Sequence, residues 1–297
     1  MSLVVNNNLM ANSVANSLNS HYSRLATSTQ RLSTGLRINS SADDAAGLAI
    51  RELMRADISA LHQGIRNAND AISLIQTADG ALGVIDEKLI RMKELAEQAA
   101  TGTYDSTQRM MIESEYQQMA SEITRIANAT DFNGIHLLNG NLSNSSHDGS
   151  SLVSTGKLKV HFGSGNLSAE DYYYIQIGSC TASSLGVGNS AGSTERAYTV
   201  STQDAAQKAL EGLTEAIVSK DKIRALLGAT QNRLENTITN LTTQAENLQA
   251  SESRISDVDV ATEMTQFVRN QILTQSAVAM LSQANNLPQM AMQLIGR

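Results

Sequence analysis

The stretch LGATQNRLENTITNLTTQAENLQASESRI, residues 227–255, carries an aliphatic side chain at every seventh position. These positions are Leu227, Leu234, Leu241, Leu248 and Ile255. A repeat of seven residues is typical of helices that pair as coiled coils. The same register extends back to Ala206, which predicts one helix of about 50 residues, about 80 Å long at 1.5 Å per residue. Because a single globular core does not need so long a helix, we expect it to pair lengthwise with other helices.

The positions between these aliphatic residues are mostly polar, which weakens the predicted helix contact. They are Thr230, Thr237, Gln244 and Ser251. Polar side chains lower the apolar area that a helix pair buries, so an isolated pair of terminal helices is expected to be marginally stable. We therefore expect neighbouring copies of the same chain to supply the remaining apolar contacts.

The N-terminal half shows helical periodicity in three segments. Apolar residues at alternating steps of three and four predict helix over residues 58–99, with a break at Asp79. A second helix, over residues 112–126, follows the turn sequence TGTYDST, in which Asp105 or Ser106 is the expected N-cap. A narrower stripe near the N-terminus consists of Val14, Leu18, Leu25 and Leu32. A stripe this narrow needs a partner helix.

Between residues 141 and 200 the helical pattern disappears, and Gly, Ser and Asn dominate. The segments LKVHF, residues 158–162, and YYYIQI, residues 172–177, are typical of strands. The prediction is a mainly α fold: a long antiparallel coiled-coil or helical-bundle rod formed by both chain ends, with a small β-hairpin-rich insert. The insert lets the two helical ends fold back on each other, so that each supplies the apolar face that the other lacks.

Asp43 and Asp44 lie in the stretch INSSADDAAGLAI, residues 38–50, where two adjacent acids raise the question of a catalytic or metal site. Neighbouring residues on a helix point in different directions, so the two carboxylates are poorly placed to cooperate. Carboxylates at a helix N-terminus accept hydrogen bonds from unpaired N–H groups. We therefore predict that these residues begin a helix after a turn at Gly35.

No motif for catalysis, metal binding or cofactor binding is recognisable. The five histidines are scattered, and neither HExxH nor CxxC occurs. The single cysteine, Cys180, lacks a nearby His or Lys cluster in sequence, which favours an idle thiol over a reactive one. A net charge of -7 argues against a nucleic-acid partner, and no run of about 18 apolar residues predicts a membrane span. We expect a protein that is not an enzyme, needs no cofactor and contacts neither nucleic acid nor membrane.

The C-terminal segment is unusually apolar. Its larger apolar residues include Met264, Phe267, Ile272, Val278 and Leu281. So much apolar surface predicts an interface, and Met-rich helices suit surfaces that repack between partners. A tail folded onto its own core is the alternative.

Leu95 is a separate feature, because it lies beside the predicted apolar face of its helix and shares a stripe with the polar residues Arg91 and Gln98. Two interpretations stay open for this leucine. It either broadens the core face of the helix or makes an intermolecular contact.

Several long motifs in order make the chain resemble bacterial flagellins. They are VNNNLMANS, RLSTGLRINSSADDAAGLAI, NANDAISLIQTADGAL, DFNGIHLLNG, AENLQASESRISDVDVATEM and QILTQSAVAMLSQANN. Together the matching parts cover roughly residues 1–140 and 206–297, and only the middle of the chain lacks the resemblance.

The resemblance implies a structural subunit that self-polymerises through its terminal coiled coils into the flagellar filament for swimming motility. Residues 1–41 and 240–297 would form the inner coiled-coil segments, residues 42–140 and 201–239 the rod-domain helices, and residues 141–200 the short variable insert. The expected assembly seam consists of Val14, Leu18, Leu25, Leu32, Leu241, Leu248, Ile255, Met264, Phe267, Ile272, Val278 and Leu281.

The resemblance also implies partners and a location. The subunit would leave the cell through the flagellar type III apparatus without a cleaved signal peptide and end in the extracellular filament. It would meet further copies of itself, hook-associated junction and cap proteins, and a secretion chaperone that grips residues 264–297. A toll-like receptor of a host would contact Arg91, Leu95 and Glu115.

Three other classes of protein fit parts of the same sequence. A hook–filament junction protein shares the coiled-coil ends but does not grow long filaments on its own. A flagellin-like enzyme with a protease insert is disfavoured by the absent HExxH pattern and the short middle segment. A cytoplasmic signalling coiled coil does not explain the apolar C-terminal segment or the β-rich insert.

Overall fold

The computed structural model describes residues 8–144, 146, 156–168, 170–188 and 199–295. Within these residues the chain forms five helices and four short strands. In chain order they are α1 (Leu9–Thr34), α2 (Ala45–Ala100), α3 (Ser106–Ala129), β1 (Asp131–Phe132), β2 (Ile135–His136), β3 (Leu158–His161), β4 (Tyr172–Ile175), α4 (Gln203–Ser256) and α5 (Val260–Ile295). The predicted mainly α fold with small β-hairpins is confirmed.

Helix α4 is the helix that the seven-residue repeat predicts. It spans 54 residues, and Leu227 and Leu234 of the repeat are buried with exposures of 1% and 0%. Helix α3 also begins where the turn sequence predicts, because Asp105 is its N-cap and the Gln108 side chain accepts a hydrogen bond of 3.1 Å from the Asp105 N–H. The periodicity and the cap signals therefore located both helices.

The predicted break at Asp79 is wrong, because α2 is one continuous helix of 56 residues. The carboxylate of Asp79 accepts hydrogen bonds of 2.7 Å and 3.1 Å from Nε and Nη2 of Arg224, which lies on α4. An aspartate is a weak helix former, and an arginine on a facing helix compensates for that preference. The partner lies far away in the sequence, so the local pattern could not reveal it.

The chain divides into two compact units, and the division falls inside α2 and α4. Unit 1 comprises Met1–Ile58 and Glu246–Arg297, and unit 2 comprises Ser59–Ala245. In unit 1, α1 and α5 pair in antiparallel directions. The Asn8 amide donates a hydrogen bond of 2.8 Å to the Ala284 carbonyl at one end, and Arg31 lies 3.7 Å from Glu263 at the other.

Unit 2 holds the main apolar core. Its α2, α3 and α4 segments pack around side chains that are almost fully buried, among them Leu82, Leu89, Met92, Tyr116, Ile123 and Leu213. Residues of the predicted insert, including Leu142, Ile177 and Val187, belong to the same core. The insert is therefore part of the packed unit and contributes apolar burial to it.

The two hairpins differ in how the sequence signals them. Strands β3 and β4 pair in antiparallel register, as predicted from their β-forming residues. Strands β1 and β2 are joined by Asn133 and Gly134, both with positive φ, of 52° and 80°. An Asn-Gly pair in this conformation is the strongest short-range hairpin signal, although helical periodicity does not detect it.

The β3–β4 hairpin lies directly against the helices of unit 2. A Cβ atom on Gly64 of α2 would come within 2.0 Å of the Phe162 carbonyl oxygen, so only glycine permits this approach. The Arg233 guanidinium of α4 lies 3.5 Å from the centre of the Tyr173 ring. Residues 145, 147–155, 169 and 189–198 of the predicted insert lie outside the described residues.

Candidate assembly interface

The facing surfaces of α1 and α5 form the α1–α5 seam of unit 1. The four predicted residues of α1, namely Val14, Leu18, Leu25 and Leu32, are half-buried there, as are Phe267 and Leu281 of α5. Three polar side chains are more deeply buried: Ser28 at 4%, Asn270 at 7% and Thr274 at 6%. These three polar residues were not predicted from the sequence, although a weak contact between the terminal helices was. A seam that buries so many polar groups gains little stability from apolar contact.

The remaining apolar residues of α5 are exposed to solvent. Met264, Ile272 and Val278, which were expected in the assembly seam, are 44%, 56% and 48% exposed. They lie outside the α1–α5 contact because the helix turns them away from α1. Met264, Val268, Ile272 and Leu273 line an apolar groove of about 550 Å³ together with Thr265 and Arg269. The exposed apolar residues Met264, Val268, Ile272, Leu273 and Val278 are hereafter called the α5 face.

The seam residues predicted on α4 show graded burial. Leu241, in unit 2, is 7% exposed, whereas Leu248 and Ile255, in unit 1, are half-buried. Burial along the seven-residue repeat therefore decreases toward the C-terminal end of α4, from Leu227 and Leu234 at 1% and 0%. Apolar residues that are only half-buried within one chain retain surface for contact with another.

Two connecting segments of unit 1, residues 35–38 and 255–258, pair through their backbones and are hereafter called the junction. Gly35 ends α1 with φ of 73°, and its carbonyl accepts a hydrogen bond of 3.0 Å from Val258. The Arg37 N–H donates to the Ser256 carbonyl at 2.7 Å, and the Arg37 guanidinium donates to the Ile255 carbonyl at 2.6 Å. The left-handed conformation favours glycine, in agreement with the predicted turn.

Aspartates hold the turns next to the junction, as the capping hypothesis expected. Asp44 accepts a hydrogen bond of 2.9 Å from the Gly47 N–H and so caps α2, while Asp43 accepts bonds from the N–H groups of Asn39 and Ser40. Asp259 accepts bonds from the N–H groups at residues 261 and 262 at the start of α5. The backbone N–H of Ser40 is the largest cause that lowers the pKa of Asp43, and hydrogen bonds from Thr262 lower the pKa of Asp259.

These lowered pKa values predict an acid-sensitive unit 1. A carboxylate whose folded pKa lies below its unfolded value contributes stability above the unfolded pKa, ordinarily 3.8, and this contribution is lost as the pH falls through the folded pKa. Between pH 5 and pH 2.5 we expect the thermal midpoint to fall less in the Asp43→Asn/Asp259→Asn variant than in the parent chain. The difference between the two falls should be on the order of a few degrees. Circular dichroism of the dilute monomer measures both midpoints.

Asparagine is chosen because its side-chain oxygen still accepts a capping bond but does not titrate. Asp57→Asn, on the exposed surface of α2, is the matched control and should follow the parent pH profile. Parallel profiles for the double variant and the parent would contradict a role for these two carboxylates in acid stability.

The three residues expected to contact a receptor have unequal exposure. Nε and Nη2 of Arg91 donate hydrogen bonds of 3.1 Å and 2.9 Å to one oxygen of Glu115, and Nη1 donates one of 3.0 Å to Glu94. The bonds to Glu115 are the largest cause that raises the pKa of Arg91. Leu95 is only 1% exposed and belongs to the core of unit 2, which agrees with the broadened core face and not with direct access.

Other side chains that could support chemistry are buried or scattered. Cys180 is fully buried, and burial raises the pKa of its thiol to about 11. Across the part of the chain that the structure describes, no three His, Cys, Asp or Glu side chains gather as a metal site. Nor does any helix in that part have the length and apolar character needed to cross a bilayer.

Comparisons with known proteins agree with the resemblance noted in the motifs. The family described as the bacterial flagellin N-terminal helical region matches residues 5–143, and the bacterial flagellin C-terminal helical region matches residues 210–295. A solved structure of a putative flagellar hook-associated protein from Vibrio parahaemolyticus shares the fold, with a TM-score of 0.54 and 14% identity over 72% of this chain and 100% of that chain.

Two curated relatives match over almost their whole length. The flagellar filament 33 kDa core protein of Treponema phagedenis is 40% identical over 99% of this chain and 100% of the relative. The flagellin of Bacillus subtilis (strain 168) is 40% identical over 98% of this chain and 99% of the relative. The paired terminal helices, the motifs that they carry and these matches lead to one conclusion: the chain belongs to the bacterial flagellin family.

Proposed function

We propose that the protein self-polymerises through its N- and C-terminal helices into the flagellar filament and serves swimming motility. Membership of the flagellin family supports a structural role in the filament, as does the full-length similarity to a filament core protein. The observation that carries the proposal is the α5 face. Met264, Ile272 and Val278 expose apolar side chains on one of the two terminal helices, and exposed apolar patches mark protein contacts.

The polar character of the α1–α5 seam supports coupling between assembly and stability. Ser28, Asn270 and Thr274 occupy positions where apolar residues would add burial energy. Contacts between copies supply the apolar burial that the single chain lacks. In this arrangement residues 1–41 and 240–297 form the inner coiled-coil part of the filament, residues 42–140 and 201–239 form the outer rod helices, and residues 141–200 form a small insert on them.

The route and the partners follow from the same role. The chain is exported through the flagellar type III apparatus without a cleaved signal peptide, and the filament is extracellular. A secretion chaperone that covers residues 264–297 before export would shield the α5 face, which would otherwise promote early association. Hook-associated junction and cap proteins lie at the two ends of the filament.

Recognition by a host toll-like receptor is proposed at the exposed pair Arg91 and Glu115. Both side chains are accessible, at 49% and 42% exposure, and their ion pair presents a fixed arrangement of charge. Leu95 enters this proposal as the buried residue that supports the helix beneath them. Exposed ion pairs contribute little to stability, so their replacement tests recognition without disrupting the fold.

Electron microscopy of the purified chain tests the polymer function directly. Seeds supply filament ends for growth, and a salting-out salt strengthens apolar burial, so either addition should produce long filaments of uniform width. A hook–filament junction protein, the alternative function, would remain monomeric or form short stubs under these conditions. Identity of 40% over 99% of the chain to a filament core protein favours the first outcome, and persistent monomers would overturn the proposal.

A further inference from the structure

A fully buried lysine interrupts the apolar contact between α2 and α4 in unit 2. The side chain of Lys220 is 2% exposed, and its Nζ lies 2.5 Å from Asp86 on α2 and 2.7 Å from Asp221 on its own helix. Lys220 falls in the register of the repeat that Leu213 and Leu227 continue on either side. Burying an ammonium group is costly unless it is paired, so an apolar residue here would serve stability as well or better.

A second ion pair lies about one turn away on α4. Arg224 donates to Asp79 of α2 at 2.7 Å, and this hydrogen bond is the largest cause that raises the pKa of Arg224. The carboxylates of Asp79 and Asp86 are partly exposed, at 44% and 28%. Each pair joins α2 to α4, whereas the contact of Lys220 with Asp221 lies within α4 and carries no information about pairing.

A slip of α4 along α2 would separate these partners. One heptad is about 10 Å at 1.5 Å per residue, and it would move Lys220 to the place of Leu213 or Leu227. Both places are apolar, with exposures of 0% and 1%. Either slip therefore takes the ammonium from Asp86 into an apolar site.

Along Leu227, Leu234 and Leu241 the apolar repeat alone does not oppose such a slip, because a shift by seven residues places leucine on leucine. We propose that the Lys220–Asp86 and Arg224–Asp79 pairs select the register in which α2 and α4 pack. They are specificity-determining residues for the pairing of the two helices, retained in spite of their cost in burial. A buried polar group that fixes helix register is the best-attested use of such residues.

Distance measurements between spin labels test this register directly. The labels are attached at Arg66→Cys on α2 and Glu211→Cys on α4, two exposed positions that are far apart along the helices. The buried Cys180 is replaced by alanine so that only these two sites are labelled. With the ion pairs intact we expect one distance. In the fourfold apolar variant Asp79→Leu/Asp86→Leu/Lys220→Met/Arg224→Leu we expect additional distances displaced by about 10 Å, one heptad.

Two further variants serve as controls. Asp86→Lys/Lys220→Glu/Asp221→Asn reverses the polarity of the ion pair, removes the carboxylate that lies 2.7 Å from Nζ of Lys220, and should keep a single distance. Glu122→Gln/Arg125→Gln removes an exposed ion pair within α3, in which Arg125 lies 2.7 Å from Glu122. This variant should leave the distance between the labels unchanged. A single unshifted distance in a helical fourfold variant would overturn the proposal. Should that variant lose its helicity, Lys220→Met/Arg224→Met, which retains both partly exposed aspartates, decides by the same criterion.

Discussion

Filaments should not form from the Ile272→Asp variant at concentrations at which the parent chain polymerises, while the monomer keeps the helicity of the parent chain. Ile272 is 56% exposed and lines the apolar groove of the α5 face, so its replacement removes no contact on which unit 1 depends. In a contact between copies, the aspartate would have to bury an unpaired charge where isoleucine buried apolar surface. A loss of about 3 kcal/mol per contact raises the critical concentration for assembly roughly a hundredfold.

The critical concentration is measured by sedimentation after seeded growth, with electron microscopy of the pellets. Gln271→Asp is the matched control, because it adds the same charge at the neighbouring exposed position and should leave assembly near the parent level. Normal filaments from Ile272→Asp would exclude the α5 face as a contact between copies. Loss of helicity in the variant monomer would instead favour the alternative in which this tail is part of an intrachain core.

The largest effect on monomer stability is expected from Leu89→Ala in unit 2. Leu89 is 0% exposed and belongs to the core formed by α2, α3 and α4. Truncation of a buried leucine loses its transfer free energy and leaves a cavity, which together cost about 2–5 kcal/mol of unfolding free energy. Urea unfolding followed by circular dichroism measures this loss as a lower midpoint with little change in slope.

The next residue supplies the control for this prediction. Ile90 is 49% exposed on the same helix, so Ile90→Ala removes a side chain that already contacts water. Its cost should stay within about 0.5 kcal/mol, because exposed substitutions away from special features have small effects. Equal destabilisation by the two variants would contradict the assignment of Leu89 to the core face of α2.

The orientation of α5 illustrates a limit of periodicity. Its apolar residues are spread around the helix, so no single stripe identifies the side that packs on α1. The sequence grouped Met264, Phe267, Ile272, Val278 and Leu281 in one seam, whereas only Phe267 and Leu281 are half-buried against the neighbouring helix. Asn270 and Thr274 occupy buried places between them. Which residues face inward depended on the partner helix.

Leu95 and Asp79 show the same dependence on distant residues. The sequence left two interpretations for Leu95, and its 1% exposure follows from how α3 and α4 cover α2. Asp79 suggested a helix break because it interrupts the apolar pattern of steps of three and four, but Arg224 supplies its partner from another helix. A local sequence pattern shows helix propensity and periodicity. Neither of these reveals which residue, more than a hundred positions away in the chain, packs against a given side chain.

The sequence by itself determined the long helix α4, the N-cap of α3, the turn at Gly35, the helix start at Asp44 and the strand-forming segments of the insert. Each of these depends on interactions within a few residues, such as an N–H group and its cap or side chains one turn apart. Only the tertiary structure decided the continuity of α2, the burial of Leu95, the polar members of the α1–α5 seam and the exposure of the α5 face. Those features depend on which surfaces meet, and that is fixed by the free energy of the whole packed chain.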